Sequence, residues 1–180
     1  MCNMDNKITI VSGTNRQDSL SGIVSKIYAD ILQSFGITAN VIDLQALPEN
    51  FIHTSLYDNA GKNADFNIIR KEMTQANKFV FIVPEYNGSF PGVLKTFIDG
   101  LIFPDTFKNK KCALVGISSG IQGGVLAISH LTDIFNYCGM HVLALKLKFS
   151  HINKYIQNQQ ITNDLYMALM KEQAEKLISF

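Results

Sequence analysis

Charge is scarce in this sequence and nearly balanced in sign. Only 17% of the 180 residues are charged, and the formal net charge is +1. Such a chain has no long-range electrostatic attraction to nucleic acid or to an anionic membrane surface. No apolar run approaches the roughly 18 to 20 residues of a membrane span, and residues 1–7 show neither the basic region nor the apolar core of a signal peptide. We therefore expect no nucleic-acid or membrane partner.

Cysteine is also scarce, and histidine shows no metal-binding spacing. The cysteines are odd in number and far apart, which fits neither a disulfide framework nor a zinc site: Cys2, Cys112 and Cys138. The histidines are scattered along the chain: His53, His130, His141 and His151. These absences predict a reduced, cytoplasmic protein without a bound metal.

Apolar residues, by contrast, make up 47% of the chain, which is enough for a solid core in one domain over residues 1–180. Short β-branched runs alternate with segments of helical periodicity. Strands are predicted at 8–11, 39–44, 79–83, 111–117 and 141–147, and helices at 20–35, 66–76, 91–101, 131–138 and 165–177. The connection 45–62 has no periodicity and is either a long functional loop or contains a short helix. The alternation predicts a doubly wound parallel sheet.

Three polar loops follow the first, third and fourth predicted strands, so they share the carboxyl edge of the sheet, where ligands bind in open α/β sheets. The first, over 12–21, offers hydroxyls, a helix N-terminus and Arg16, a suitable set for a phosphate. It lacks the ending of a Walker A loop and the GxGxxG pattern, which favours a monophosphate over a pyrophosphate. An alternative stays open: Ser19 or Ser21 only caps the helix, and Arg16 is a solvated surface charge.

The second and third loops suit a planar ring. The stretch 84–89 contains the turn pair Asn87-Gly88 and leads to Pro91 in the first turn of a helix. It can present backbone donors, an amide and an aromatic side chain to a ring, although an ordinary capping turn with Tyr86 at the surface explains it equally well. The third loop, over 118–124, is rich in serine and glycine and can close on the other side of the ring, but such loops are common.

These stretches carry a resemblance to a known family. The sequences GTNRQDSLS over 13–21, PEYNGSFPGVLKTFID over 84–99 and SGIQGG over 119–124 resemble the NADPH-dependent FMN reductase family, which includes chromate, quinone and azo-dye reductases. The likeness covers residues 7–145. It implies a flavodoxin-like three-layer α/β/α sandwich with a five-stranded parallel sheet in the order 2-1-3-4-5. It also implies bound FMN, NADPH or NADH as the electron donor, and a homodimer or homotetramer.

The resemblance implies roles for individual residues. The FMN phosphate is expected to be held by Thr14, Arg16, Ser19 and Ser21. The isoalloxazine is expected to be lined by Pro84, Glu85, Tyr86, Asn87 and Gly88, with Ser119 and Gly120 at its far edge. Two positions depart from the family pattern: Gly100 stands where many members have tryptophan, and Leu126 stands where a basic residue is frequent.

The implied activity is a ping-pong transfer of hydride from NAD(P)H through FMN to a flavin, quinone, azo compound or metal oxyanion, with no catalytic side chain because the cofactor carries the chemistry. Two alternatives stay open. One is a flavodoxin-like electron carrier without its own NAD(P)H oxidation, although such carriers usually have an acidic docking face. The other is a regulatory domain that has lost the cofactor.

Overall fold

A computed structural model describes residues 7–180; residues 1–6, which include Cys2, lie outside the described part. The strands are β1 (Ile8–Ser12), β2 (Asn40–Asp43), β3 (Lys78–Pro84), β4 (Lys111–Ile117), β5 (His141–Val142), β6 (Leu147–Phe149), β7 (Ile156–Gln157) and β8 (Gln160–Ile161). The α-helices are α1 (Leu20–Ser34), α2 (Phe51–Thr54), α3 (Ala64–Gln75), α4 (Gly92–Gly100), α5 (Val125–Tyr137) and α6 (Asp164–Ser179).

The central sheet is parallel and has the order β2-β1-β3-β4-β5, so the predicted flavodoxin-like order is confirmed. Helices cover both faces. An aromatic-rich cluster packs α3, α4 and α5 on one face, and an aliphatic cluster packs α1 and α6 on the other. Because the central strands β1, β3 and β4 are buried on both faces, they read in the sequence as continuous apolar runs. This arrangement brings the loops after β1, β3 and β4 to one edge.

The fifth strand was predicted as one segment over 141–147, and this is wrong. Two short strands, β5 and β6, occupy that position, and each pairs with β4. Between them the buried Gln173 of α6 interrupts the ladder, because its Nε2 donates to the carbonyls of Leu114, at 3.1 Å, and Leu145, at 2.7 Å. Its Oε1 accepts from the Tyr28 hydroxyl at 3.2 Å. A side-chain amide thus replaces backbone pairing, which strand periodicity does not reveal.

The connection after β2 contains structure, as one of the two sequence interpretations allowed. It holds the single helical turn α2 between two 3₁₀ turns, Leu44–Ala46 and Tyr57–Asn59. After β6, the antiparallel pair β7–β8 was not predicted. Its turn residues, Asn158 and Gln159, both have positive φ.

Gly100, where the family resemblance leads us to expect tryptophan, closes α4 in a crowded place. A Cβ at Gly100 would lie 2.7 Å from Cε1 of Phe66 and 3.3 Å from Cδ2 of Leu56. Phe66 is fully buried and packs edge-to-face against Phe97, with ring centroids 6.1 Å apart. Aromatic volume at this point of the core therefore comes from α3 and not from the end of α4.

Candidate functional site

A cleft of about 550 Å³ lies at the carboxyl ends of β1, β3 and β4. Its walls come from the three loops that follow these strands and from the segment after β6. The lining residues are Thr14, Arg16, Gln17, Asp18, Ser19, Leu20, Ser21, Pro84, Glu85, Tyr86, Ile117, Ser118, Ser119, Ile152 and Asn153. The predicted convergence of three loops at one sheet edge is present in the structure.

The first loop wraps the N-terminus of α1. It leaves β1 tightly against β3, since the Gly13 N–H donates to the Ile82 carbonyl at 2.9 Å and a Cβ at Gly13 would lie 2.9 Å from that oxygen. Ser19 caps the helix, with its Oγ accepting from the Gly22 N–H at 3.1 Å. Ser21 is not a cap: it is 1% exposed, and its Oγ has no hydrogen-bond partner within residues 7–180. The first N–H groups of a helix also lack acceptors and carry the positive end of the helix dipole.

The second loop is a tight turn tied to the first loop. Tyr86 and Ser89 exchange backbone hydrogen bonds of 2.8 and 3.0 Å, and the residues between them, Asn87 and Gly88, have φ of 51° and 72°. Two successive residues at positive φ are what a type I′ turn requires, and Asn-Gly supplies them. The hydroxyl groups of Tyr86 and Thr14 lie 3.1 Å apart, which joins this turn to the loop around α1.

The second and third loops are joined through a carboxylate. Oε2 of Glu85 accepts from the N–H of Gly124 at 3.1 Å, where the glycine loop enters α5. Within the third loop, the Ser118 Oγ accepts from the N–H of Gly123 at 2.9 Å. The positive end of the α5 dipole favours a carboxylate at this place. Glu85 therefore orders the wall of the cleft in addition to lining it.

The cleft brings together most of the residues singled out from the sequence, namely Thr14, Arg16, Ser19, Ser21, Pro84, Glu85, Tyr86 and Ser119. The remaining three are not among its lining residues. Asn87 and Gly88 form the outer tip of the turn, and Gly120 is exposed. The two serines differ: Ser19 is the cap, whereas Ser21 lines the cleft and its buried hydroxyl has no hydrogen-bond partner among the described residues.

Sequence reasoning missed the fourth wall. Ile152 and Asn153 reach the cleft from a 3₁₀ turn, Ile152–Lys154, that follows β6. Nothing in the sequence of 148–155 marks this segment, because its place depends on β6 pairing with β4. The connection 45–62 lines a different cavity of about 580 Å³, between Asn15 and the start of α4.

Other features of the molecule lie apart from the cleft. Burial raises the pKa of the thiols of Cys112 and Cys138, which disfavours their thiolate forms. Within residues 7–180, no three His, Cys, Asp or Glu side chains are grouped as a metal site would require. In the same part of the chain, no helix has the length and apolar character to cross a bilayer.

Comparisons with known proteins point to one family. Residues 6–154 match the family model described as NADPH-dependent FMN reductase. Among curated proteins, the chain is 29% identical over 138 residues to a 2-hydroxy-1,4-benzoquinone reductase from Burkholderia sp, covering 73% of this chain and 70% of that protein. It is 30% identical over 149 residues to a quinone reductase of Escherichia coli (strain K12), covering 78% of this chain and 76% of that protein.

A solved structure shows the same fold. The flavoenzyme NAD(P)H:(acceptor) oxidoreductase FerB from Paracoccus denitrificans superimposes with a TM-score of 0.76 at 19% identity, over 97% of this chain and 96% of that chain.

Proposed function

Because the chain belongs to the NADPH-dependent FMN reductase family, we propose that its cleft holds FMN and passes a hydride from NAD(P)H to a small acceptor by a ping-pong mechanism. The family makes the protein an oxidoreductase with FMN and NAD(P)H as cofactors. The site residues, the order of substrate binding and the acceptor class are the proposed part. The homodimer or homotetramer and the cytoplasmic location stay predictions.

The buried hydroxyl of Ser21 is the observation that carries the placement of FMN. A buried hydroxyl without a partner is costly unless a ligand satisfies it. Ser21 is among the residues that line the cleft at this helix N-terminus, together with the exposed Arg16 and with Ser19, whose capping hydroxyl can still donate its proton. These groups together match a phosphate monoester, which brings several acceptor oxygens and negative charge.

Ser21→Ala is expected to have opposite effects on the empty and the loaded protein. Without FMN, stability should be unchanged or higher by up to about 1 kcal/mol, because a desolvated hydroxyl is removed. The dissociation constant for FMN should rise about tenfold, because a hydrogen bond to a charged phosphate is lost. Urea denaturation and fluorescence titration measure the two quantities.

Ser25→Ala is the matched control for this prediction. Ser25 lies one turn later on α1, is fully buried, and its Oγ also has no partner within residues 7–180, yet it does not line the cleft. It should match Ser21→Ala in stability and leave FMN affinity unchanged. Equal losses of FMN affinity in both variants would contradict the phosphate role of Ser21.

The residues of the cleft have tasks around the ring. Bound FMN supplies the redox chemistry, accepting a hydride and passing two electrons on. Tyr86, held through its hydroxyl by Thr14, forms a fixed aromatic wall. Glu85 fixes the glycine loop on the opposite side through Gly124. Preorganised backbone N–H groups of these loops are suited to stabilise negative charge on a reduced ring.

Anaerobic half-reactions test the ping-pong order. NADPH or NADH alone should bleach the flavin absorbance of the FMN-loaded protein, and a quinone added afterwards should restore it. Double-reciprocal plots of the initial rate against one substrate, at several fixed concentrations of the other, should show parallel lines. A protein that stays yellow with NAD(P)H until another protein is added would support the electron-carrier alternative instead.

Exposed apolar side chains on the loops beside the cleft favour a neutral planar acceptor over a metal oxyanion. Leu126, where a basic residue is frequent in the family, is 47% exposed at the start of α5, and a Cβ at Gly88 would lie 3.8 Å from its Cδ1. Ile121, in the glycine loop, is 78% exposed. Apolar surface of this kind gains from covering an uncharged ring and offers no fixed charge to an anion. We therefore propose a quinone-type acceptor, in keeping with the quinone reductases among the relatives.

Leu126→Arg is expected to raise kcat/KM for chromate about two- to fivefold relative to benzoquinone, which is the size of an exposed charge interaction. Steady-state assays with both acceptors measure the ratio. Leu165→Arg adds the same charge at an exposed position of α6 and should leave the ratio unchanged. A ratio that does not move with Leu126→Arg would place the acceptor elsewhere.

A further inference from the structure

Three successive carbonyls of the glycine loop are held by the segment that follows β6. The Ser118 carbonyl accepts from the N–H of Ile152 at 3.0 Å, and the Gly120 carbonyl accepts from the N–H of His151 at 3.0 Å. The carbonyl between them, that of Ser119, lies 3.0 Å from Nδ1 of His151. One side of this loop is therefore fully engaged in hydrogen bonds, and a single side chain supplies the middle one.

The engaged carbonyls determine where the N–H groups point. In a trans peptide the C=O of one residue and the N–H of the next project in opposite directions. The N–H groups of Ser119 and Gly120 are therefore turned away from the segment that holds the carbonyls, and neither has an acceptor among the described residues. Ser118 and Ser119 line the cleft. The loop thus presents unpaired backbone donors beside the proposed ring site.

His151 is specialised for this contact. A carbonyl oxygen can only accept, so Nδ1 must carry the proton, and the contact is kept whether the imidazole is neutral or protonated. The backbone of His151 has φ 49° and ψ 34°, the left-handed conformation that residues with a Cβ rarely adopt, although Asn, Asp and His adopt it more often than the others. Strain of this kind persists where the surroundings impose it and is concentrated at functional sites.

We infer that His151 is a positioning residue that holds the Ser119–Gly120 peptide with its N–H toward the FMN ring, where the donor stabilises the negative charge of reduced FMN. The inference rests on the proposed function. His151 itself is not among the residues that line the cleft, so it acts through the peptide and does not touch the ring.

A pair of variants separates the side-chain donor from the backbone strain. Asn and Gly both accept the left-handed conformation, but only Asn carries an N–H donor at the δ position. The midpoint potential of bound FMN and the dissociation constant for FMN are measured for wild type, His151→Asn and His151→Gly. We expect His151→Gly to shift the potential to a more negative value and to raise the dissociation constant about fivefold or more. His151→Asn should stay close to wild type in both.

The outcomes are distinguishable. A His151→Gly protein with the wild-type potential overturns the inference, even if its thermal stability falls, because a merely structural role would lower stability without changing the potential. If His151→Gly does not fold, His151→Asp replaces it, since Asp matches Asn in shape but cannot donate; measurement in 1 M NaCl reduces the effect of its charge. In that case an Asp variant equal to the Asn variant overturns the inference. Wild-type protein that fails to bind FMN contradicts the proposed function itself.

Discussion

Gly124→Ala is expected to destabilise the protein by about 2 to 5 kcal/mol, the sum of left-handed backbone strain and forced overpacking. Gly124 has φ 77°, and a Cβ there would lie 2.9 Å from the Cα of Gly116 and 3.0 Å from the N of Ile117. Both atoms belong to the backbone of the central strand β4, so no side-chain rotation relieves the contact. Because native proteins are stable by only about 5 to 15 kcal/mol, a loss of this size removes a large share of the free energy of unfolding.

Gly120→Ala is the control for this loop. It lies four residues earlier, is exposed, and a Cβ there would meet no atom within 4 Å. Its free energy of unfolding should stay within about 1 kcal/mol of wild type. Urea denaturation of both variants measures the difference. Similar stabilities for the two would mean that the glycine loop does not cross β4 as closely as described.

Arg16→Ala is expected to weaken FMN binding about 10- to 100-fold, which corresponds to the loss of a charge-assisted contact to the phosphate. Arg16 is exposed, so its removal should leave the free energy of unfolding of the FMN-free protein unchanged. Fluorescence titration with FMN and with riboflavin measures the effect. Riboflavin has the same ring and no phosphate, so its affinity should not change.

Lys26→Ala is the matched control for Arg16→Ala. Lys26 is an exposed cation on α1 that does not line the cleft, and its removal changes the net charge equally. Its affinity for FMN should equal that of wild type. If Arg16→Ala lowered the affinities for FMN and riboflavin alike, the arginine would serve the loop and not the phosphate.

The sheet and the convergence of the loops could be predicted because they depend on local patterns. Strand β3 is a continuous apolar run that ends at a proline, and strand β4 is one that ends at a polar glycine loop, as buried parallel strands do. The turn at Asn87-Gly88 has positive φ at both residues, and Asn-Gly is the residue pair that most favours such a turn. The family resemblance added the order of the strands and the identity of the cofactor.

Other features depend on contacts between residues far apart in the chain, which local patterns do not show. Gln173, which interrupts the fifth strand, is separated from its hydrogen-bond partner Leu114 by 59 residues in the sequence. The sequence predicted Glu85 as a lining residue, but its hydrogen bond to the N–H of Gly124 depends on two loops that are far apart in the sequence. His151 and Asn153 reach the glycine loop and the cleft because β6 pairs with β4.

A crystal structure of the protein co-crystallised with FMN is the most direct test of the proposal that the cleft binds FMN. We expect the phosphate within hydrogen-bond distance of the Ser21 Oγ and the Arg16 guanidinium, and the ring between Tyr86 and the glycine loop. The protein also has an apolar cavity of about 670 Å³ along the C-terminal halves of α4 and α5, lined in part by Phe103, Phe107 and Tyr137. FMN bound in that cavity, or a cleft left empty at saturating FMN, would contradict the account.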